Sequence, residues 1–345
     1  MYLTEQEIMT QHIALEKTYA YLSGMQEKIR GFFSTAKHRK FVFLGSGSSY
    51  MLAKSGQRMF AACPDTAAAA ISGGDYLINS VYYGETIKDS IIITLSRSGQ
   101  TSEIVRAVKY IKEHYGNPVI SISMKDNNDI MPYSDFNLTL DWCYDKSVCQ
   151  TRTVTNLYLS LLMLAAIYSG DDDLEVSGRA AAEQNQAFRE AYRPALKSIA
   201  EKNWDNAVIL ADGALNGIAE EGALAFTEIS MLPGRQFNLL DYRHGPIVLS
   251  DEKTLTIAVL NPGAERLQSA MVEDLKSHHG ILITVSAETE NQYGADAHIC
   301  VDGTGRFEAW GIPLIGMIQM LAYEKSLLLG RNPDAPAGLD AFITL

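Results

Sequence analysis

The sequence predicts an α/β protein made of two tandem units, each a parallel sheet covered by helices on both faces, and three observations carry that prediction. Short apolar runs of buried-strand type alternate with helical patterns, which implies parallel strands joined by crossover helices. Loops rich in serine and glycine follow two of those strands, on the side of an open α/β sheet where ligands bind. The pattern of the first half then recurs, imperfectly, in the second.

In chain order, Ile8, Ile13, Leu15, Tyr19 and Leu22 fall near three- and four-residue spacing and predict one long helix over residues 1–34. Its opening, MYLTEQEIMTQHIALEK, is acidic and amphipathic with no apolar core, so it has the composition of neither a signal peptide nor an anchor. A first unit over 35–170 follows, with strands expected at 40–44, 67–71, 90–95, 118–123 and 136–140. The loop Gly45-Ser46-Gly47-Ser48-Ser49-Tyr50 leads from the first of these strands into a helix ending near Ala62. A helix over 153–169, an acidic stretch from Gly170 to Asp173 and a linker helix within 171–200 come next. The second unit, 201–330, echoes the first: 207–213 repeats 41–47, 254–261 with its helix repeats 91–114, and 281–286 repeats 119–123. Residues 331–345 are expected to form a tail that closes over the site.

Composition narrows the function. With 345 residues, 47% apolar and 20% charged, the chain can bury two cores. A net charge of −12 excludes long-range attraction to nucleic acid or an anionic membrane, although a local nest of N–H groups still binds a single phosphate. Cys63, Cys143, Cys149 and Cys300 form no Cys-x-x-Cys pair and read as reduced thiols of a cytoplasmic protein. No apolar run is long enough to span a bilayer. No metal-ligand spacing joins the histidines, and neither a metal nor any other cofactor is expected.

The densest chemical signal lies at Leu95-Ser96-Arg97-Ser98-Gly99-Gln100-Thr101-Ser102, where four hydroxyls crowd a strand-to-helix turn. Backbone N–H groups at a helix start, the helix dipole and small hydroxyl donors together favour a phosphate. One Ser-Gly-x-Thr also fits an ordinary helix cap, and the hydroxyl density argues beyond it. The second unit has Leu260-Asn261-Pro262-Gly263-Ala264-Glu265 instead, with no hydroxyl and a carboxylate, so one phosphate site per chain is expected. Glu221 and Glu228 are seven apart on one helical face with Leu224, either as solvated charges or as desolvated carboxylates suited to proton transfer. His244 precedes Gly245-Pro246, a tight turn that holds its ring on rigid backbone.

These segments, Gly45-Ser-Gly-Ser-Ser, Ser96-Arg-Ser-Gly-Gln-Thr, Ser147-Val-Cys-Gln-Thr-Arg, the Glu221-Gly-Ala-Leu helix through Glu228, and Arg243-His-Gly-Pro, resemble the SIS (sugar isomerase) family over nearly the whole chain. The resemblance is to double-SIS phosphosugar isomerases: the isomerase half of glucosamine-6-phosphate synthase, AgaS-type deaminase/isomerases and fructosamine 6-phosphate deglycases. It implies two flavodoxin-like sheets and a phosphosugar substrate. By the same likeness Ser96, Ser98 and Thr101 hold the phosphate, with help from Gly47, Ser48 and Ser49, and Arg97, Glu221 and Arg243 join the binding residues. It further implies that the 147–152 loop, with Gln150 and Thr151, closes over the sugar, that Glu228 moves the proton between C1 and C2, and that His244 opens the ring. Relatives donate that histidine across a subunit interface, which implies a homodimer or higher homo-oligomer.

Two departures separate the members. The chain starts at the helix before the first unit, so glutaminase activity is not expected. Ala341 stands near the place where the synthase has a Schiff-base lysine, and no lysine occurs from Ser326 to Leu345. A substrate with its own nitrogen needs none, which favours deamination or deglycation. A plain ketose/aldose phosphate isomerase (such as the tagatose-6-phosphate type) is the alternative, with a phosphosugar-binding regulator behind it, since such regulators carry a DNA-binding domain that an acidic chain like this lacks.

Overall fold

The structure is a computed structural model and describes residues 1–340. The amino-terminal segment is not one helix but three: α1 (Leu3–Met9), α2 (Gln11–Gly24) and α3 (Gln26–Ala36). The first break comes at Thr10, whose backbone leaves the helical region while its hydroxyl bonds back to the Gln6 carbonyl at 2.7 Å. The apolar period continues across both breaks because Ile8, Leu15, Leu22 and Ile29 all face the core, so spacing alone could not reveal them.

The first sheet comprises β1 (Lys40–Gly45), α4 (Ser48–Ala61), β2 (Ala67–Ser72), α5 (Gly73–Asn79), α6 (Gly84–Ile87), β3 (Ile91–Ser96), α7 (Ser102–Tyr115), β4 (Val119–Ser123) and β5 (Phe136–Thr139), and is followed by α8 (Arg152–Ser169). All pairings are parallel in the order β2-β1-β3-β4-β5. Phe41 and Phe43 of β1 join Phe33, Phe60 and Tyr168 in the main core, while Val42 and Leu44 point to the other face with Ile104 and Val108 of α7. Burial on both faces explains why β1 and β3 read as continuous apolar runs.

Next come α9 (Asp172–Glu183), with Asp171 accepting the Leu174 N–H as a cap at 3.0 Å, and α10 (Asn185–Glu201). The second sheet contains β6 (Asn206–Leu210), α11 (Leu215–Ile229), β7 (Gly234–Phe237), β8 (Thr254–Val259), α12 (Glu265–Ser277), β9 (Ile281–Ser286) and β10 (Ala297–Cys300), and α13 (Gly311–Leu328) closes the fold. Its order, β10-β9-β8-β6-β7, is the order of the first sheet read from the other edge. Strands β7 and β10 did not emerge from the sequence, because each is a four-residue edge strand with half-exposed positions and no apolar run. The largely apolar α8 and α13 lie buried along nearly their whole length.

Two helices join the halves. Helices α4 and α11 pack so closely that a Cβ on Gly217 would lie 2.2 Å from the Met51 carbonyl oxygen. Ser55 Oγ accepts the Ile218 N–H at 3.0 Å, and Lys54 pairs with Glu220 at 2.7 Å. Among the described residues, no helix is long and apolar enough to cross a membrane.

Candidate active site

In the first sheet the strand order reverses between β1 and β3, and the two serine-rich loops leave the carboxyl ends of those two strands. In doubly wound sheets that switch point is where ligands sit. Gly45 permits the first turn, since a Cβ there would lie 2.4 Å from the Ser49 carbonyl carbon. Gly47 takes φ +55°, a conformation glycine adopts freely, and Ser48 and Ser49 open α4 as buried residues. In the second loop Ser96 Oγ accepts the Gly99 N–H at 3.0 Å and meets Thr101 Oγ1 at 3.3 Å, while Ser98 Oγ accepts the Gln100 N–H at 3.1 Å. Gly99, at φ +63°, leaves no room for a side chain, because a Cβ would fall 2.3 Å from Asn128. These contacts draw Ser96, Ser98 and Thr101 around the amino terminus of α7.

Helix α11 brings acid to this place from the other sheet. It runs antiparallel to α4, with Gly217 against Met51 and Ser55, and Glu221 bonded to Ser48 at the start of α4. Glu228 lies two turns farther on, about 10 Å, which carries it past the start of α4 towards the 145–152 segment. Glu221 is 2% exposed. Burial, then the charge of Glu228, push its carboxyl well above the usual range despite the Ser48 hydrogen bond. Burial also pushes Glu228 up to about 7, against the opposing pull of the Arg97 guanidinium. The Cys149 thiol, pushed up by its own burial, lies within the fields of Glu228, Arg97, Glu221 and Asp334, so these charges surround one point.

The segment before α8 forms the remaining wall. Arg97 Nη1 donates to the Ser147 and Val148 carbonyls, each at 3.2 Å, and the guanidinium stands over the Tyr144 ring. Asp145, buried, accepts the N–H groups of Thr151 and Thr153 at 2.8 and 2.9 Å. Glu7 of α1 accepts the Lys146 and Ser147 N–H groups at 2.6 and 3.3 Å. The tail reaches the same segment, with Val148 N–H donating to the Asp334 carbonyl at 3.0 Å and the Asp334 carboxylate capping the start of α1. Ala341 lies outside the described residues. Three buried polar atoms in these elements, Ser46 Oγ, Gln150 Oε1 and Glu221 Oε2, have no hydrogen-bond partner among the described residues, an arrangement suited to receiving a polar ligand.

The structure thus brings Gly47, Ser48, Ser49, Ser96, Ser98 and Thr101 to the carboxyl ends of β1 and β3, and sets Arg97, Glu221, Glu228 and the segment with Gln150 and Thr151 beside them. It does not bring Arg243 or His244 there within the same chain. Both follow β7 at the other end of α11, where Asn216 bonds to Asn238, and Glu228 lies about 18 Å down the helix from Asn216. His244 is exposed, and Arg243 pairs with Asp274 at 2.6 Å. Glu7 and Asp145 escaped the sequence reading because their partners are backbone N–H groups, which no residue pattern announces. A cavity of about 750 Å³ lined by Arg30, Phe33, Lys37, Arg39, Cys63 and Tyr168 opens at the amino-terminal end of the first sheet and includes none of these residues. The carboxyl ends of α3, α4 and α8 converge on it, which accounts for the basic side chains there.

Residues 34–167 match the SIS domain family. Across 273 residues the chain is 27% identical to the glutamine–fructose-6-phosphate aminotransferase [isomerizing] of Campylobacter jejuni, covering 76% of this chain and 45% of that protein. The enzyme of the same name from Chlorobaculum tepidum is 26% identical over 366 residues, covering 97% of this chain and 58% of the relative. The chain spans about half the length of these curated relatives. Among solved structures, a glucosamine-6-phosphate deaminase from Thermotoga maritima superposes with a TM-score of 0.85 at 23% identity, covering 99% of this chain and 100% of that one. A tagatose-6-phosphate ketose/aldose isomerase from Escherichia coli gives 0.85 at 20% identity, covering 98% and 96%. At those identities the two structures speak for the fold alone. Residues 34–167 thus carry the match to the SIS domain family, and the second sheet repeats the strand order of the first.

Proposed function

We propose that this chain is an enzyme that takes a 6-phosphorylated amino sugar or glycated amine, moves a proton between C1 and C2, and releases the nitrogen by hydrolysis. The observation that carries the reading is Glu228, a carboxyl pushed up to about 7 in the crevice that also holds the hydroxyl cradle. A base with that value is half ionised at neutral pH and can both take and return a proton.

The phosphate sits on the cradle of Ser96, Ser98 and Thr101 at the α7 terminus, assisted by Gly47, Ser48 and Ser49. On a 2-amino aldose, Glu228 removes the C2 proton, the electrons pass into an enaminol, and protonation at C1 leaves an imine at C2. Water adds to that imine and ammonia leaves, giving the ketose phosphate. On a 1-amino ketose the proton moves from C1 to C2, and hydrolysis of the C1 imine frees the amine and the aldose phosphate. Glu221, buried and with its carboxyl held well above the usual range, contacts the substrate alongside Gln150 and Thr151. His244 opens the sugar ring from a second copy of the chain, because its own Glu228 is beyond reach. The similarity to isomerizing aminotransferases supports C1/C2 chemistry on hexose phosphates.

The test is a panel of 6-phosphorylated amino sugars, fructosamines and plain ketoses, read for ammonia or amine release and for the isomer formed. Nitrogen release coupled to isomerisation is expected. Interconversion of plain ketose and aldose phosphates without nitrogen release would replace this reading with the simpler isomerase, and no turnover of any member would refute it.

A further inference from the structure

Helix α1 belongs to neither sheet, yet it places a buried carboxylate against the crevice wall. Glu7 is 3% exposed and spends its oxygens on one stretch of chain: the Lys146 N–H, the Ser147 N–H and the Ser147 hydroxyl. Ser147 and Val148 turn their carbonyls the other way, to Arg97 Nη1. Ser147 therefore joins the carboxylate of α1, through its N–H and hydroxyl, to the guanidinium, through its carbonyl. We propose that Glu7 is a positioning residue: through the 146–148 backbone it fixes where Arg97 stands relative to Glu228.

The setting supports a positioning role over simple filling. Two carboxylates, Glu7 and Asp145, flank the segment, with Arg152 3.8 Å from the first and 3.4 Å from the second. Burial and the neighbouring Asp145 push Glu7 up from its ordinary value, so the site retains a destabilised group where a neutral side chain would be easier to bury. The end of α1 is fixed in turn: Asp334 accepts the Leu3 and Thr4 N–H groups at 2.9 and 2.7 Å, and its own carbonyl takes the Val148 N–H. Tail, first helix and wall thus form a closed loop of contacts. The charged and titratable groups that face Glu228 are Arg97 from the loop after β3, Glu221 on its own helix and Cys149 from the wall. Of these Arg97 alone favours the ionised base.

The consequence for turnover rests on Glu228 being the base, whereas the coupling itself does not. The full chain carrying Glu7→Gln is labelled with ¹³C in its glutamate carboxyls, and Glu228 is titrated by NMR, its signal assigned by its loss in Glu228→Gln. An amide at position 7 accepts less strongly and turns an NH₂ towards donors, so the wall shifts and Arg97 loosens. The Glu228 midpoint is expected to rise by about 0.5–1 unit, part of the 1–3 units a close cation supplies, and the acid limb of kcat is expected to move with it while KM changes little. Should Glu7→Gln fail to fold, Ser147→Ala is read in the same way, with a smaller upward shift expected. A folded variant with lower thermal stability and an unmoved Glu228 midpoint overturns the proposal. A shifted midpoint in a protein that turns over no sugar phosphate leaves the coupling standing and refutes the function.

Discussion

Replacing Glu228 with glutamine separates what this carboxyl does for catalysis from what it does to stability. The folded protein holds the group near 7 against an ordinary value of 4.5, chiefly through burial. A carboxyl raised on folding favours the folded state fully below its unfolded value, and that advantage disappears as pH rises through the folded one. The wild-type chain therefore loses stability across pH 4.5–7, by roughly 3 kcal/mol for a shift of about 2.5 units at 1.36 kcal/mol each. Glutamine has the same shape and no charge to bury. Thermal unfolding of the two proteins is expected to coincide near pH 4.5 and to diverge above pH 7, with Glu228→Gln melting about 4 °C higher on ordinary per-residue unfolding entropies. In the same protein kcat is expected to fall about 10²–10⁴-fold while substrate still binds. A melting difference that stays constant from pH 4.5 to 8, or a wild-type chain that is the more stable at pH 8, would refute the buried-base argument. Wild-type solvent-deuterium exchange at C1 or C2 in the variant would refute the catalytic one.

On the proposed phosphate site, Ser98→Ala removes one donor and is expected to raise KM by an amount equivalent to about 1.5–3 kcal/mol, with unchanged binding in calorimetry counting against the cradle. Gly99→Ala forces a side chain onto a left-handed backbone and into Asn128, and chemical denaturation is expected to show a loss of more than about 2 kcal/mol. If His244 serves the site of a second copy, mixing inactive Glu228→Gln with inactive His244→Ala protein and allowing subunit exchange is expected to restore turnover. Sedimentation of a fully active 38.0 kDa monomer would contradict it.

Much of this architecture was legible because parallel sheets buried on both faces write themselves as apolar runs, as at Ile91–Ile93, and because the loop after β3 concentrates hydroxyls that no core needs. The breaks at Thr10 and Met25 were hidden by an apolar period that runs through them. Edge strands β7 and β10 were hidden for the opposite reason, having no two-sided burial to record. At the site, Glu221 and Glu228 could be placed on one helical face from their spacing, yet the face they shared was undecided until α11 was seen to run along α4. Arg97 is the clearest limit. Its neighbours in sequence suggest a phosphate ligand, whereas its guanidinium is turned to carbonyls fifty residues away, a partnership that only the folded chain reveals.

The seam between α4 and α11 has a consequence for which substrates fit. The proposed anion cradle belongs to one sheet and the proposed base to the other, so the distance between them is set by how closely these two helices approach, and Gly217 with the Met51 carbonyl fixes that approach. On the proposed function the seam works as a ruler. A molecule is measured from its phosphate to the carbon that must lose a proton, and one shorter than a hexose phosphate would anchor at the cradle and leave its reacting carbon out of reach of Glu228. On that reading, selectivity for chain length is set by backbone contact between two helices, at positions that touch no part of the substrate.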